Sequence, residues 1–452
     1  MRGAYYLEPL GCAKNQVDAE TMMGFLGEAG WVSVTDPREA DIIIINSCGF
    51  IESAKQESIN TVLGYRKTYP NTKILLSGCL AQGYAQELAT ALPEADLIFG
   101  NQDLSRITYV AERALAQRPG DPNRVYLPLE TGEADALPLG KRPLLSAPGS
   151  AYVKIAEGCD NHCAFCSIPR LRGPLRSRVP ERVVDECREL LDRGITELCL
   201  IGQDLASYGT DRTGGESLLP QLLKALSHLE GRFWVRLLYL HPDKFPLPLL
   251  ELIRDDQRLL PYFDLPFQHG AVRILRAMNR RGTGESYLAL VRQIRFVLPE
   301  ATIRSTFLTG FPGETERDFE ELLAFQEEAQ LDWVGCFTYS PEPYTSAVAL
   351  KPQVPRRIAV ARKRRVEMRQ VPITCARLDR LLGTDVEALV EASVPGQGAS
   401  AEYLARIPCQ APEVDGLTRI KTSQGLSLGA LMRGRVIARR GFDLELGLDP
   451  DA

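Results

Sequence analysis

Gly158-Cys159-Asp160-Asn161-His162-Cys163-Ala164-Phe165-Cys166 spaces three cysteines as C-x₃-C-x₂-C, directly after the apolar run Ala151–Ala156. Thiolates are the usual ligands of iron–sulfur clusters. Three of them on a four-iron cluster leave one iron without a protein ligand. An open metal position admits a substrate or cosubstrate, whereas structural sites are closed. Two other chemistries fit three close cysteines: a zinc site that recruits His162, and a redox-active cysteine pair.

Downstream of this loop, strand-like runs alternate with helical patterns. The runs are Tyr152–Ala156, Glu197–Ile201, Trp234–Leu240, Tyr262–Pro266, Thr302–Leu308 and Val334–Tyr339, with helix-like stretches such as Glu181–Arg193, Leu218–Leu229 and Glu314–Ala329 between them. About six β/α units predict an open or partial barrel. The cysteine loop follows the first strand, so it belongs at the carboxyl-end mouth, where β/α barrels build their active sites. Other loops at that mouth carry Gly202-Gln203-Asp204, His241-Pro242, Gln268-His269-Gly270 and Thr309-Gly310-Phe311-Pro312-Gly313-Glu314-Thr315. A glycine turn that opens a helix can present N–H groups to an anion, and ordinary turn chemistry uses the same residues. Arg170, Arg172, Arg176 and Arg178 follow the triad, either in a solvated loop or in contact with a ligand. Cys187, Cys199 and Cys336 lie inside helix or strand patterns and read as core.

The first 110 residues repeat one pattern. Tyr5-Tyr6-Leu7 leads to Gly11-Cys12, Asp41–Asn46 to Ser47-Cys48, and Lys73–Ser77 to Gly78-Cys79. Helix-like stretches follow at Asp18–Ala29, Glu52–Tyr69 and Gln82–Ala91. Strands alternating with helices predict a parallel sheet, whose carboxyl edge is the usual ligand edge. Cys12, Cys48 and Cys79 all sit just past a strand, so distant positions converge on that edge. They read as a second cluster site, or else as three buried core thiols. Gly11 and Gly78 would let the backbone approach a bulky group.

Pro and Gly in Arg118–Pro122 and Leu137–Pro143 mark a linker. The stretch Arg356–Arg369 is basic and spaced for one helical face. After Gly383, short alternating runs at Val386–Val390, Leu417–Ile420, Arg435–Ala438 and Phe442–Leu446 predict a small antiparallel barrel. The expected division is residues 1–140, 147–372 and 373–448. At 452 residues, 44% hydrophobic and 25% charged, the chain is of globular composition. A net charge of −5 excludes a surface that binds nucleic acid over its whole extent. No long apolar run predicts a membrane span or a signal peptide, so a cytoplasmic location is expected, with the eleven cysteines as metal ligands or buried thiols.

The 158–166 motif resembles that of the radical S-adenosylmethionine (SAM) enzymes. The resemblance implies that SAM chelates the open iron through its amino and carboxylate groups. Reduction of the sulfonium then gives a 5′-deoxyadenosyl radical. Phe165 matches the aromatic position beside the adenine, and Gly310–Thr315 is similar to the G-F-P-G-E-T segment near SAM. With Gly202 and Gln203, the expected SAM-binding residues are therefore Phe165, Gly202, Gln203, Gly310 and Glu314. Arg172–Arg178 follows the R-G-x-x-x-S-R pattern of the same enzymes. Gly11–Glu20 and Asn46–Ile51 resemble the N-terminal domain of the methylthiotransferases, which implies an auxiliary four-iron cluster on Cys12, Cys48 and Cys79. Ala13 replaces a proline common in one branch, at a position that is no ligand. The tail resembles the TRAM domain that ends these enzymes.

Over the whole chain the resemblance implies methylthiolation, C–H to C–S–CH₃, with one SAM giving the methyl group and another the radical. Tyr262–His269, Gly335–Pro341 and Ala411–Gly416 are similar to the ribosomal-protein branch, which modifies the β-carbon of an aspartate in ribosomal protein S-twelve. The transfer-RNA branch usually has serine where His269 stands and methionine at Lys14. From Leu381 to Ala452 there are ten acidic and seven basic residues. A mildly acidic barrel fits a basic protein partner better than RNA, although Arg433, Arg435, Arg439 and Arg440 leave room for a minor RNA contact. A third reading is a non-catalytic iron–sulfur carrier.

Overall fold

The computed structural model describes residues 2–118, 121, 123–128, 142–394 and 401–448. Most of the expected linker lies outside the described residues.

Strands β1 (Ala4–Pro9), β2 (Val32–Ser33), β3 (Ile42–Ser47), β4 (Lys73–Gly78), β5 (Leu97–Phe99) and β6 (Val125–Tyr126) form one parallel sheet in the order β2-β1-β3-β4-β5-β6. The isoleucine run of β3 is buried throughout because both faces are covered. Ile42 and Ile44 pack with Met22 and Leu26 of the helix Ala13–Glu28. Ile43 and Ile45 pack on the other face with Val62 of the helix Glu52–Thr68. The helix expected at Gln82–Ala91 is broken in two, Cys79–Gly83 and Ala85–Ala91.

The central domain contributes β7 (Ser150–Lys154), a short ribbon of β8 (Ala156–Glu157) and β9 (Arg176–Ser177), then β10 (Glu197–Ile201), β11 (Trp234–Leu237), β12 (Leu259–Asp264), β13 (Thr302–Thr309) and β14 (Trp333–Thr338). The six long strands lie side by side in chain order, all parallel, as an open sheet. This is the expected partial barrel. Helices cover one face, where Val153, Leu200 and Leu237 meet Cys187, Leu190 and Leu223.

The other face is filled by a different part of the chain. After the helix Arg356–Asp379, five strands close a small barrel: β15 (Asp385–Val394), β16 (Ala401–Arg406), β17 (Thr418–Thr422), β18 (Leu431–Arg440) and β19 (Asp443–Leu448). β17 and β19 pair in parallel while the other ladders are antiparallel. Tyr152, Cys199, Trp234, Tyr262 and Trp333 of the central sheet share one apolar cluster with Leu389, Val390, Ile420 and Leu444 of this barrel. Beneath it, Glu197 receives Arg236 from β11 and Arg406 from β16, all three fully buried.

Candidate active site

The N-terminal cysteines meet because of strand order. β1, β3 and β4 are neighbours, with Pro9 opposite Asn46, Asn46 opposite Ser77, and Ser47 opposite Gly78. Cys12 follows three residues after Pro9, and Cys48 and Cys79 follow one residue after Ser47 and Gly78, so the three cysteines leave the same edge of the sheet. They are close enough that the charges of Cys12 and Cys48 both act on Cys79. Gly78 has φ +95°, and a Cβ there would lie 2.4 Å from the Ser47 carbonyl. A Cβ on Gly11 would lie 2.9 Å from Cβ of Cys48, and one on Gly49 2.8 Å from the Leu80 backbone. What the missing side chains admit is therefore the neighbouring loop, and the three cysteine turns press together.

Asn15 ties this corner. Its Nδ2 donates to the carbonyls of Leu10 (2.9 Å) and Ser47 (3.0 Å). Its Oδ1 receives Arg172 Nη2 at 2.6 Å and lies 3.4 Å from the Cys79 thiol. Cys79 is buried, and burial pushes its thiol up to about 12. Cys12 is exposed at the N-cap of the helix Ala13–Glu28. Desolvation by its surroundings opposes ionisation there, but Lys14, Arg172 and the N–H groups of Asn15 and Lys14 leave the thiol below its ordinary value.

The second cysteine loop is pinned from every side. Cys159 N–H donates to the Gly173 carbonyl (3.2 Å), Asn161 to Asp204 (2.8 Å), and Ala164 N–H to Met278 (3.0 Å). Ala347 N–H reaches Ala164 from the loop after β14 at 2.9 Å, and Asn279 holds the His162 carbonyl at 2.9 Å. Asp204 also accepts from the N–H groups of Ala206 and His241 and from the Ser207 hydroxyl, which couples the turns after β10 and β11 to the cysteine loop. Burial pushes Cys159 up to about 11 and Cys166 to about 12. A bound metal deprotonates a thiol outright.

Both triads suit an iron–sulfur cluster. Each offers three free thiols, and all eleven cysteines are free. The zinc alternative fares worse. His162 is exposed, and among the described residues no three Cys, His, Asp or Glu side chains surround a single-ion position. A cubane asks for a wider set, because each thiolate meets a different iron. Cys187, Cys199 and Cys336 are buried in the core.

Comparison with known proteins now adds a family. Residues 4–100 match the uncharacterized protein family UPF0004, 153–325 the radical SAM superfamily and 382–446 the TRAM domain. The chain is 44% identical to the ribosomal protein uS12 methylthiotransferase RimO of Treponema denticola, over 96% of this chain and 98% of that one. It is 42% identical to the RimO of Moorella thermoacetica, over 91% of each. This chain belongs to the RimO family of methylthiotransferases. As a radical SAM enzyme of that family it works with iron–sulfur chemistry and SAM. The radical SAM methyltransferase TsrM of Kitasatospora setae, solved with tryptophan and a SAM analogue, shares its fold: TM-score 0.53 at 14% identity, over 77% of this chain and 75% of that one.

Within this RimO-family chain the other sequence-predicted residues have definite places. Phe165 is half-buried against Ala271, Ile274, Met278 and Phe311. Gly202 and Gln203 follow β10, beside the Asp204 turn. Gly310 has φ +75°, and a Cβ there would lie 2.3 Å from that of Ala359, so the helix Arg356–Asp379 requires this glycine. Glu314 folds back on its own turn, accepting the N–H groups of Gly310 and Phe311, with Arg362 3.1 Å away. Burial pushes its carboxyl up to about 7 against these three influences.

Arg170, Arg172 and Arg178 each meet protein groups, and of these three only Arg170 is exposed. Arg172 is buried and paired with Asp18 (2.8 Å) and Glu157 (2.8 Å). Lys154 bridges the same two carboxylates. Arg178 is buried on Glu186, and Arg170 stacks on Tyr344 at 3.5 Å while donating to Gly83. Arg172, Lys154 and Arg170 clamp the N-terminal domain to the central one. Asn15, Asp18 and Arg172 lay in the quoted motifs, but nothing in their spacing revealed that they meet one another. The four arginines of β18 are likewise paired, Arg433 with Glu387, Arg435 with Asp385, Arg439 with Asp379 and Arg440 with Glu445.

Proposed function

We propose that this chain attaches a methylthio group to ribosomal protein uS12, at the β-carbon of an aspartate. Cys159, Cys163 and Cys166 would hold the cluster that binds SAM, and Cys12, Cys48 and Cys79 a second four-iron cluster. The observation that carries this reading is the pair of three-cysteine turns at the carboxyl ends of two parallel sheets, joined by the Arg172–Asp18–Lys154–Glu157 network. A carrier of clusters has no use for two such sites clamped together. The names of the relatives favour uS12 over transfer RNA as the substrate.

When bound, a cluster with SAM supplies a carbon radical able to take hydrogen from an unactivated C–H bond, chemistry that no amino-acid side chain provides. The chain's own residues hold geometry. Asp204 and Asn161 fix the direction of the 159–166 loop. Phe165, Gly202 and Gln203 would border the cosubstrate, and Glu314 with Arg362 sets the shape of the Gly310 turn. Asn15 and Arg172 keep the Cys79 turn in register with the central domain, which fixes the relative placement of the two cysteine sites that would hold the reacting groups.

The test is the intact mass of uS12 from host cells with and without this gene, beside nucleoside analysis of their transfer RNA. Loss of one methylthio group from uS12 alone is expected. Loss from transfer RNA alone would replace this reading with the transfer-RNA one.

A further inference from the structure

Three lysines of this chain are nearly withdrawn from water: Lys14 (6% exposed), Lys55 (9%) and Lys154 (9%). Such ammonium groups are ordinarily paired, because an uncompensated buried charge is strongly unfavourable. Lys55 meets Glu52 and Glu342, and Lys154 meets Asp18 and Glu157. Lys14 differs. Among the described residues it makes no ion pair and its ammonium makes no hydrogen bond. What it touches is the face of Tyr239, with Nζ 3.2 Å from the ring centroid.

The carboxylates within reach are already engaged. On the lysine's own helix, Asp18 is taken by Lys154 and Arg172, and Glu20 by Arg142. Across the domain boundary Asp264 accepts the Tyr239 N–H at 3.3 Å and faces Arg304 at 3.8 Å. Tyr239 itself has φ +68°, a left-handed conformation that a tyrosine rarely adopts. Strain of this kind gathers at functional sites. Here it turns the ring beneath the lysine.

The location narrows which anion this ammonium would receive. Lys14 is two residues from exposed Cys12, on the N-terminal domain, and meets a residue just past β11 of the central domain. It therefore stands at the seam between the N-terminal and central domains, beside the N-terminal cysteine turns. The cations acting on the other triad are different ones, Lys244 at Cys159 and Arg280 at Cys166. An anionic end of SAM held at that triad has those groups, and Lys14 is left for the third reactant.

We propose that Lys14 is the residue that receives the carboxylate of the substrate side chain, and so selects an acidic side chain over a neutral one. This rests on the function proposed above. A carboxylate one bond from the reacting carbon, held on an ammonium with an aromatic floor, fixes which C–H faces the reactive centre.

The test uses the reconstituted full chain and measures binding of purified uS12, and of uS12 with its modified aspartate replaced by asparagine, before any turnover. Wild type should prefer the aspartate form. Lys14→Met should weaken binding of that form about ten- to a hundredfold, the worth of one charge-assisted hydrogen bond, and leave the asparagine form little changed. Lys14→Arg should recover part of the loss. Iron content and thermal unfolding, measured on the same samples, report whether Lys14→Met still folds and loads. Equal affinity of Lys14→Met and wild type for the aspartate form would overturn the proposal. So would an equal loss for both forms, or a shift in the reduction potential of the N-terminal cluster with binding unchanged, which would make the lysine a counter-charge to the cluster. If wild type bound neither form, the uS12 reading itself would fail.

Discussion

Replacing Glu197 by Gln removes one charge from a buried triad and leaves two guanidinium groups facing each other. Glu197 Oε1 lies 2.8 Å from Arg236 Nε and 3.1 Å from Arg406 Nη1, and its Oε2 accepts a second bond from Arg406. Desolvation would raise the pKa of Glu197, yet Arg406 and Arg236 together hold it at about 2, below the ordinary 4.5. That displacement corresponds to about 3 kcal/mol of stability. Breaking a buried pair by removing one partner costs about 3–5 kcal/mol. Arg406 keeps Glu391 at 2.6 Å, which places the expected cost at the lower end. For a cooperative unit of about 300 residues, the central domain with the barrel, the unfolding midpoint at pH 7 should fall by roughly 5–8 °C. The pH dependence follows from the same charges. The carboxylate's contribution is complete above pH 4.5 and is lost as pH falls toward 2, because the unfolded chain takes up the proton first. Glu197→Gln should therefore lose most at neutral pH and converge on wild type near pH 2. Calorimetry over that range is the assay. Replacing Glu197, Arg236 and Arg406 together by Leu, Met and Met, with Glu391→Gln to remove the carboxylate that Arg406 also holds, should recover most of the stability, since no charge is then left uncompensated. A midpoint for Glu197→Gln within about 2 °C of wild type at pH 7, with an unchanged acid limb, would refute the claim that this triad holds the C-terminal barrel against the central sheet.

The cluster assignments make separable predictions. Cys163→Ala should abolish formation of 5′-deoxyadenosine by reduced, reconstituted protein, and Cys48→Ala should remove about half the bound iron while sparing much of the cleavage; unchanged iron in Cys48→Ala would remove the N-terminal site. Gly49→Ala forces a Cβ to 2.8 Å from the Leu80 backbone and should mimic Cys48→Ala in iron analysis. Gly158→Ala puts a Cβ 1.9 Å from the Pro174 carbonyl and should mimic Cys163→Ala; normal cleavage by this variant would contradict the described loop. Arg172→Leu leaves Lys154 alone with Asp18 and Glu157, and should speed amide exchange in both helices Cys79–Gly83 and Ile168–Arg172, at a cost of about 3–5 kcal/mol; exchange confined to one of them would show that the residue does not join the domains.

Much of the architecture was legible because its signals are local. The spacing of Cys159, Cys163 and Cys166 is covalent, and the strand-helix alternation is a periodicity within short windows. A parallel sheet sends every strand end to one edge, so Cys12, Cys48 and Cys79 could be gathered without knowing strand order. Where the periodicity was weak the reading fell short: β2, β5 and β6 are two or three residues long, and β16 has no clear alternation.

What the sequence by itself determined is the kind of chemistry and the succession of β/α units, since both rest on residue type and near spacing. Tertiary structure alone decided that β1, β3 and β4 are neighbours, that the barrel covers the helix-free face of the central sheet, and that Arg172, Arg178 and the barrel arginines are spent on ion pairs. It alone left Lys14 with the Tyr239 ring and, among the described residues, no ion pair. Whether a buried charge is satisfied depends on groups more than a hundred residues away, such as Asp18 for Arg172 or Glu197 for Arg406. No window of sequence carries that information, because it comes into being only when the sheets pack.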